Sequence, residues 1–384
     1  MRIHILHTGF VSKTSMSGGD QLIFDIVSRL PKEWEFVVIT PEFAKVFWKT
    51  VSHPYLEFRY LPSNRFDFRG DPFSTFWSYV IRAWQTYQIL KRERDIKVVY
   101  SCSDVAYADV WPAFLIARTE KLKWISRVYH VLLPPGVRQG NLFINLVAVW
   151  LQRLSFWSMK KRSWVTLALN EKLRLELIEL GFSESKTKIL GAGIDFNYIH
   201  NYKPSKKYEY EVVALGRVAA VKGIFDTVKI WKEVHKYNPK WKLCWIGQGD
   251  PGTTQQIRHK IKKEGLQNSF LMKGFLEKRV VLDIFKSAKV FICPDHENGW
   301  GLAVSEAMSA SLPVVSYSID IFGSVYKKGF LSCPLFDTQA FAANLIRVLE
   351  DKNLRDKSAR QAREQASQFD LDKVVRDFAK ILGS

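Results

Sequence analysis

Four loops carry residues that could hold a phosphate. In Leu215 to Gly223, LGRVAAVKG, Arg217 and Lys222 stand five positions apart behind the apolar run YEVVAL. Arginine offers a planar fork of donors and lysine a compact point charge, so both could aim at one diphosphate. Two solvated surface cations are the plainer alternative; the flanking Gly216 and Gly223, directly after a buried strand, favour a shared anion. The stretch HENGWGLAVSEAMSASLPVV runs from His296 to Val315. Gly299, Trp300 and Gly301 close a loop and Leu302 opens a helix, whose first amides can bind phosphate oxygens. Glu306 is expected near the first turn, where the helix dipole favours its ionised form. A carboxylate there accepts hydrogen bonds without donating any, which suits two adjacent hydroxyls such as those of a ribose.

Two further loops are rich in glycine. Gly18 and Gly19 precede the apolar-periodic segment Leu22, Ile23, Ile26, Val27 and Leu30. Glycines at a helix start let an anion approach bare amides, or serve a tight turn. Gly247, Gly249 and Gly252 fit G-x-G-x-x-G after a strand. The dinucleotide fingerprint also needs an acidic residue about 20 positions on, at the end of the next strand. Here that strand, SFLMKG, ends at Lys273-Gly274, so an NAD(P)-dependent oxidoreductase stands as an alternative on one loop alone. No D-x-D motif and no His/Cys grouping suggests a metal site, and no cofactor is expected.

These loops need a frame. At 384 residues the chain is long for one domain, and two of about 150–200 residues each are expected. The β-rich runs RIHILHT, EFVVIT, LEFRYL, KVVYSC, KWISRVY and WVTLAL alternate with helix-length segments. After the polar stretch NYKPSKKYEYE, residues 201–211, the alternation restarts with YEVVALG, KLCWIG, SFLMKG, KVFICP and LPVVSY. Strand–helix alternation implies parallel sheets covered on both faces. The fold class expected is α/β, with two doubly wound Rossmann-like domains facing a central cleft. Residues 1–200 form the first, 201–365 the second, with 201–211 as the linker. Residues 366–384 form a C-terminal helix packing back toward the first. In such sheets ligands sit beyond the carboxyl ends of the strands, where the loops above fall.

The net charge of +19 is shared evenly: residues 1–200 hold 27 basic and 18 acidic side chains, residues 201–384 hold 30 and 20. Such a field favours anionic partners. The four cysteines, Cys102, Cys244, Cys293 and Cys333, are widely spaced, which fits a reducing, cytoplasmic compartment. Met1-Arg2 leads straight into IHILHT, so no N-terminal signal is expected. The apolar run Leu142 to Leu151 is interrupted by Asn145 and looks too short to span a bilayer.

Taken in order, Gly18-Gly19, the G-R-x4-K-G of Arg217 and Lys222, and GWGLAVSEAMSASLPVV resemble the GT-B-fold, family 4 retaining glycosyltransferases. The likeness spans nearly the whole chain, and its second-domain motifs are the more specific. It implies a nucleoside diphosphate sugar as donor and a glycan or lipid-linked acceptor. It also implies that Arg217 and Lys222 clamp the diphosphate, that Gly18 and Gly19 face it, and that Glu306 holds the ribose. The Lys273–Phe275 loop would take the base edge through its backbone, with Gly247, Gly299, Trp300, Gly301 and Leu302 also on the donor side. His130, in ISRVYHVLLPPG, falls where the family has a histidine near the donor sugar. The family's first glutamate directly precedes Gly-Phe/Trp-Gly. Here Asn298 stands there and Glu297 lies one residue earlier, so either could meet the sugar. Ser311 replaces a usual glycine, Pro294-Asp295 a Pro-Ser, and GAGID at Gly191 to Asp195 an N-G-V-D.

The implied reaction is same-face transfer of a hexose-type sugar, in which the departing phosphate oxygen helps deprotonate the acceptor. Cationic side chains would take the place of a metal. A role in cell-surface polysaccharide or glycolipid synthesis follows from the resemblance. Arg65, Phe66, Phe68, Arg69, Trp77, Arg82 and Trp84, and the apolar segment Leu142 to Arg162 with Trp150 and Trp157, could dock on an anionic membrane surface. A nucleic-acid partner, or a DNA-modifying glycosyltransferase, is permitted by charge but has no recognition motif behind it.

Overall fold

The computed structural model describes residues 1–10, 17–69, 71–104, 107–137 and 141–383. Residues 11–16 of the loop leading to Gly18 lie outside that set. Strands β1 (Arg2–Leu6), β2 (Glu35–Pro41), β3 (Leu56–Leu61), β4 (Val98–Ser101), β5 (Lys123–Val128), β6 (Val165–Ala168) and β7 (Thr187–Ile189) form one sheet. Its order is β3-β2-β1-β4-β5-β6-β7. Strands β8 (Val212–Leu215), β9 (Leu243–Ile246), β10 (Phe270–Gly274), β11 (Val290–Cys293), β12 (Val314–Tyr317) and β13 (Phe330–Cys333) form a second, ordered β10-β9-β8-β11-β12-β13. Among the described residues, every pairing of these strands within the two sheets is parallel. The central strands are short Val/Ile-rich runs buried on both faces, as parallel strands between helices must be. In each sheet the winding reverses once, between β1 and β4 and between β8 and β11. Those are the switch points where ligands bind in doubly wound folds.

The helices bury one stripe against these sheets. In Ile224–Tyr237 the buried set is Ile224, Thr227, Val228, Ile230, Trp231 and Val234, the three-and-four spacing of an amphipathic helix.

The chain forms two compact units, Met1–Ala192 with Asp372–Ser384, and Gly193–Leu371. The stretch 201–211, read above as a linker, lies inside the second unit. Asp283 holds it, accepting from the Ser205 amide at 2.8 Å, the Ser205 hydroxyl at 2.7 Å and the Tyr202 hydroxyl at 3.1 Å. Polar groups of this stretch thus serve as donors to one carboxylate of the second unit. The C-terminal helix Leu371–Gly383 joins the first unit. Phe378 packs 5.2 Å from the Tyr100 ring, and Asp372 accepts from Arg29 at 2.8 Å. The helix Leu142–Arg162 is longer than the apolar run suggested. Its 21 residues suffice by length and composition to cross a bilayer.

Candidate functional site

At the switch point of the second sheet two loops are laced together. One follows β8 and reaches Gly223; the other follows β11 and reaches Gly301. Lys222 donates from Nζ to Asp295 Oδ2 at 2.5 Å. The His296 amide donates to the Val221 carbonyl at 2.9 Å, and its ring Nε2 lies 2.8 Å from Asp226 Oδ2. The Tyr317 hydroxyl reaches the same oxygen at 3.3 Å. Asp295 and His296 are buried.

Gly223 sits where no side chain fits. Its φ is +66°, and a Cβ would lie 2.0 Å from the Pro294 carbonyl oxygen. Gly223→Ala is therefore expected to destabilise the protein by roughly 2–4 kcal/mol, through left-handed strain and displacement of the Pro294 loop. Urea unfolding of the purified variant measures this, and an unchanged midpoint contradicts the packing.

The helices that start from this point have open N-termini. Ile224–Tyr237 begins at Gly223 and Leu302–Ser309 at Gly301, φ +89°, and neither has a side-chain cap. Nearby helices differ: Asp250 caps Pro251–Lys263 through the Thr253 amide at 2.8 Å, and Asp337 caps Thr338–Glu350. A carboxylate thus already occupies the helix start that a dinucleotide would need at the G-x-G-x-x-G loop. An uncapped start, by contrast, offers bare amides and a positive dipole end.

Asn298 is bound within its own loop. Its Nδ2 donates to Asp295 Oδ2 at 2.6 Å and its Oδ1 accepts from the Trp300 amide at 3.1 Å. Glu297 is half-buried beside it. Gly299 continues the loop, and Trp300 anchors it, donating from Nε1 to Ser305 at 3.2 Å. Leu302 is half-buried. Glu306 is the fifth residue of its helix, just beyond the first turn.

Arg217 is exposed. Gly247 closes β9, donating to the Gly274 carbonyl at 2.7 Å. Lys273 and Phe275 flank Gly274 and are exposed. Arg217, Lys222, Gly247, Glu297, Asn298 and Glu306 therefore all sit in the second unit, in or just beyond loops at the carboxyl ends of β8, β9 and β11.

The first unit repeats the pattern around β1 and β4. Thr8, just after β1, donates its amide and hydroxyl to Asp109 Oδ1 at 2.8 and 2.6 Å. Gly18 opens the helix Gly18–Arg29 behind a capping box of Ser17 and Asp20. The side that Gly19 leaves bare is filled: a Cβ would lie 2.8 Å from the Tyr129 ring, and the Tyr129 hydroxyl donates to the Gly19 carbonyl at 3.4 Å. Tyr129 thereby ties the glycine turn to the loop that carries His130. That loop is gripped by Gln152, which is buried. Gln152 donates to the His130 carbonyl at 2.9 Å and to Asp104 Oδ2 at 2.9 Å, and accepts from the Leu132 amide at 2.9 Å. All three of these hydrogen bonds go to structure that sets the path of the His130 loop. Burial pushes Asp104 up to about 7 and Asp109 up to about 6.

Sequence reasoning missed Asp295 as the partner of Lys222, the His296–Asp226 contact, and the Asp104–Gln152 grip. Asp295 was visible as a departure from Pro-Ser; nothing signalled the rest. Arg82 was read as part of a basic surface. It is instead buried, donating to the Thr8 carbonyl at 3.0 Å, to the Phe10 carbonyl and to Asp67. The backbone carbonyls after β1 need a donor, and only a long cationic side chain reaches them from the helix Pro72–Arg92.

Residues 195–365 match the family described as glycosyl transferases group 1. A poly(glycerol-phosphate) alpha-glucosyltransferase of Bacillus subtilis is 27% identical over 179 residues, covering 46% of this chain and 26% of that protein. A GDP-mannose:cellobiosyl-diphosphopolyprenol alpha-mannosyltransferase of Xanthomonas oryzae is 28% identical over 102 residues, covering 26% of this chain and 27% of that one. The chain thus spans about a quarter of the length of these curated relatives. Among solved structures, Anabaena Alr3699/HepE in complex with UDP and glucose superposes with a TM-score of 0.78 at 16% identity, covering 100% of this chain and 99% of that one.

Proposed function

We propose that this chain, a GT-B protein whose residues 195–365 are a glycosyl transferases group 1 domain, moves a hexose-type sugar from a nucleoside diphosphate sugar to a glycan or lipid-linked acceptor. One observation carries the reading. Lys222, held by Asp295, ties the loop that ends at one uncapped helix start to the loop that leads to the other, at the switch point of the second sheet. As the glycosidic bond breaks, the leaving diphosphate gains charge. Lys222, held by Asp295, and the amides at Gly301–Leu302 are preorganised to stabilise it, and Arg217 adds its charge from the β8 loop, the kind of contribution that commonly dominates catalysis.

In this reading Arg217 and Lys222 supply the positive charge that a metal supplies elsewhere, and no cofactor is needed. Glu306 takes the ribose hydroxyls. The Lys273–Phe275 turn takes the base, with Gly247 beside it. Glu297 takes the sugar, because both polar ends of Asn298 already serve their own loop. His130, on its gripped loop, contacts the sugar, and Gly18-Gly19 set the turn beside it. Transfer is retaining, the departing phosphate oxygen accepting the acceptor's proton. The chain works in the cytoplasm, at the inner face of a membrane where a lipid-linked acceptor is presented. The relatives' names support an acceptor of this kind: one names a diphosphopolyprenol, another a poly(glycerol-phosphate).

Thermal-shift screening against UDP-, GDP-, ADP- and dTDP-sugars tests the reading. One donor, at about 100 times its Kd, should stabilise the fold by roughly 2.7 kcal/mol, a rise of several degrees. If every nucleotide sugar leaves the melting temperature unchanged, the donor site is misassigned.

A further inference from the structure

The helix Leu142–Arg162 is inside out. Its buried stripe contains Asn145, Gln152, Ser155 and Ser158 beside Phe156 and Met159. Its exposed stripe contains Phe143, Leu146, Trp150 and Trp157, with Phe143 73% and Trp150 59% accessible. The spacing of the exposed set is that of one helical face. A helix facing water on that side would have the opposite pattern. The polar inner stripe has work to do: Gln152 holds the His130 loop and Asp104, so this side stays against the sheet. The apolar side is left for a medium other than water.

The neighbours agree. Helix Val110–Thr119 packs beside Leu142–Arg162, and Pro72–Arg92 packs beside Val110–Thr119. They expose Trp111 and Trp84. None of the three helices contains an aspartate or glutamate, while Lys91, Arg92, Arg118, Arg153, Lys160, Lys161 and Arg162 punctuate them. Lys161 places its Nζ 4.9 Å from the Trp157 ring centroid. Exposed tryptophans interleaved with cations, without acids, complement the headgroup region of an anionic bilayer: aromatic rings settle at that depth and cations meet lipid phosphates.

We propose that the layer formed by these three helices docks on anionic lipid, with Leu142–Arg162 lying in the plane of the interface rather than crossing it. Its inner stripe is committed to the sheet, so one face alone is free to enter the headgroups. The lipid-facing helix and the His130 loop are then one hydrogen bond apart, through Gln152. A lipid-linked acceptor would be met where the sugar is handled; for that purpose, though not for its geometry, the inference rests on the proposed transfer reaction.

The test is co-sedimentation with vesicles of phosphatidylglycerol and phosphatidylcholine, mixed at about one to two, against pure phosphatidylcholine. The full chain should bind the mixed vesicles at least about tenfold more tightly, with a blue shift of tryptophan emission. The double variant Phe143→Ser, Trp150→Ser should lose about tenfold or more of that binding. Its circular dichroism and melting temperature should be unchanged, because both side chains face outward. Failure of the parent to bind mixed vesicles overturns the proposal, as does full binding by the double variant. A dimer in sedimentation velocity that the double variant abolishes, without vesicle binding, assigns the face to a second copy instead. Duplex DNA binding equally sensitive to the two substitutions assigns it to nucleic acid. Nucleotide-sugar thermal shifts on the same samples separate the outcomes. Donor binding without vesicle binding overturns this docking alone, and vesicle binding without donor binding overturns the reaction alone.

Discussion

Arg217→Ala should lower turnover of the nucleoside diphosphate sugar by about a hundred- to a thousandfold and leave the melting temperature within about a degree of the parent. The side chain is exposed and makes no hydrogen bond or ion pair among the described residues, so its removal takes nothing from the fold. Its loss is felt when charge builds on the leaving diphosphate, so kcat and kcat/KM should fall together. Lys222→Ala should cost turnover similarly and also cost stability. It strips the ammonium from Asp295, which is 7% exposed and keeps Asn298 as its remaining donor. Leaving a buried carboxylate half-paired costs on the order of 1–3 kcal/mol. The two variants therefore separate a purely electrostatic role from one that also maintains the loop. Steady-state kinetics with the donor found by thermal shift, beside unfolding curves, give both numbers. If Arg217→Ala turns over like the parent, the diphosphate is not stabilised from the β8 loop.

The frame of this site was legible because its signals are local. Runs such as VVAL and VFIC read as strands buried on both faces, and glycines behind them read as turns. What was not legible is what depends on distant parts of the chain meeting. Lys222 and Asp295 are 73 positions apart, and no spacing rule links them. Gln152 lies mid-helix, where glutamine is unremarkable; its importance comes from the His130 carbonyl 22 positions earlier. Composition also says nothing of direction. The sequence of Leu142 to Arg162 shows apolar and polar residues at helical spacing, and the ordinary assumption turns the apolar side inward. Here the polar groups after β4 and β5 claim the inner side. Arg82 fails in the mirror sense: a cation among aromatics looked like surface, while bare carbonyls after β1 drew it into the core.

Those polar groups after β4 make the fold respond to pH, and Asp104→Asn exposes the response. Asp104 is fully buried, and desolvation raises it to about 7 from an ordinary 3.8. Between those limits the folded chain holds a proton that the unfolded chain releases, so this group's contribution to stability falls as pH rises from about 4 to about 7 and is flat above. The full span corresponds to roughly 4 kcal/mol. Asp109, raised to about 6 by the same cause, acts in the same direction. His4 acts in the opposite one: burial lowers it to about 4, so its contribution rises with pH up to its ordinary 6.5. The opposing slopes flatten the parent's profile, and the difference between variant and parent is the quantity to follow. Asparagine keeps an oxygen for the Gln152 amide and has no charge to desolvate. The stability difference, Asp104→Asn minus parent, should therefore grow by up to about 4 kcal/mol between pH 4 and pH 7.5, whatever its offset at pH 4. Urea unfolding at half-unit intervals measures it. A difference independent of pH would mean that Asp104 is ionised throughout, and that the grip on the His130 loop runs through a charged carboxylate rather than a protonated one.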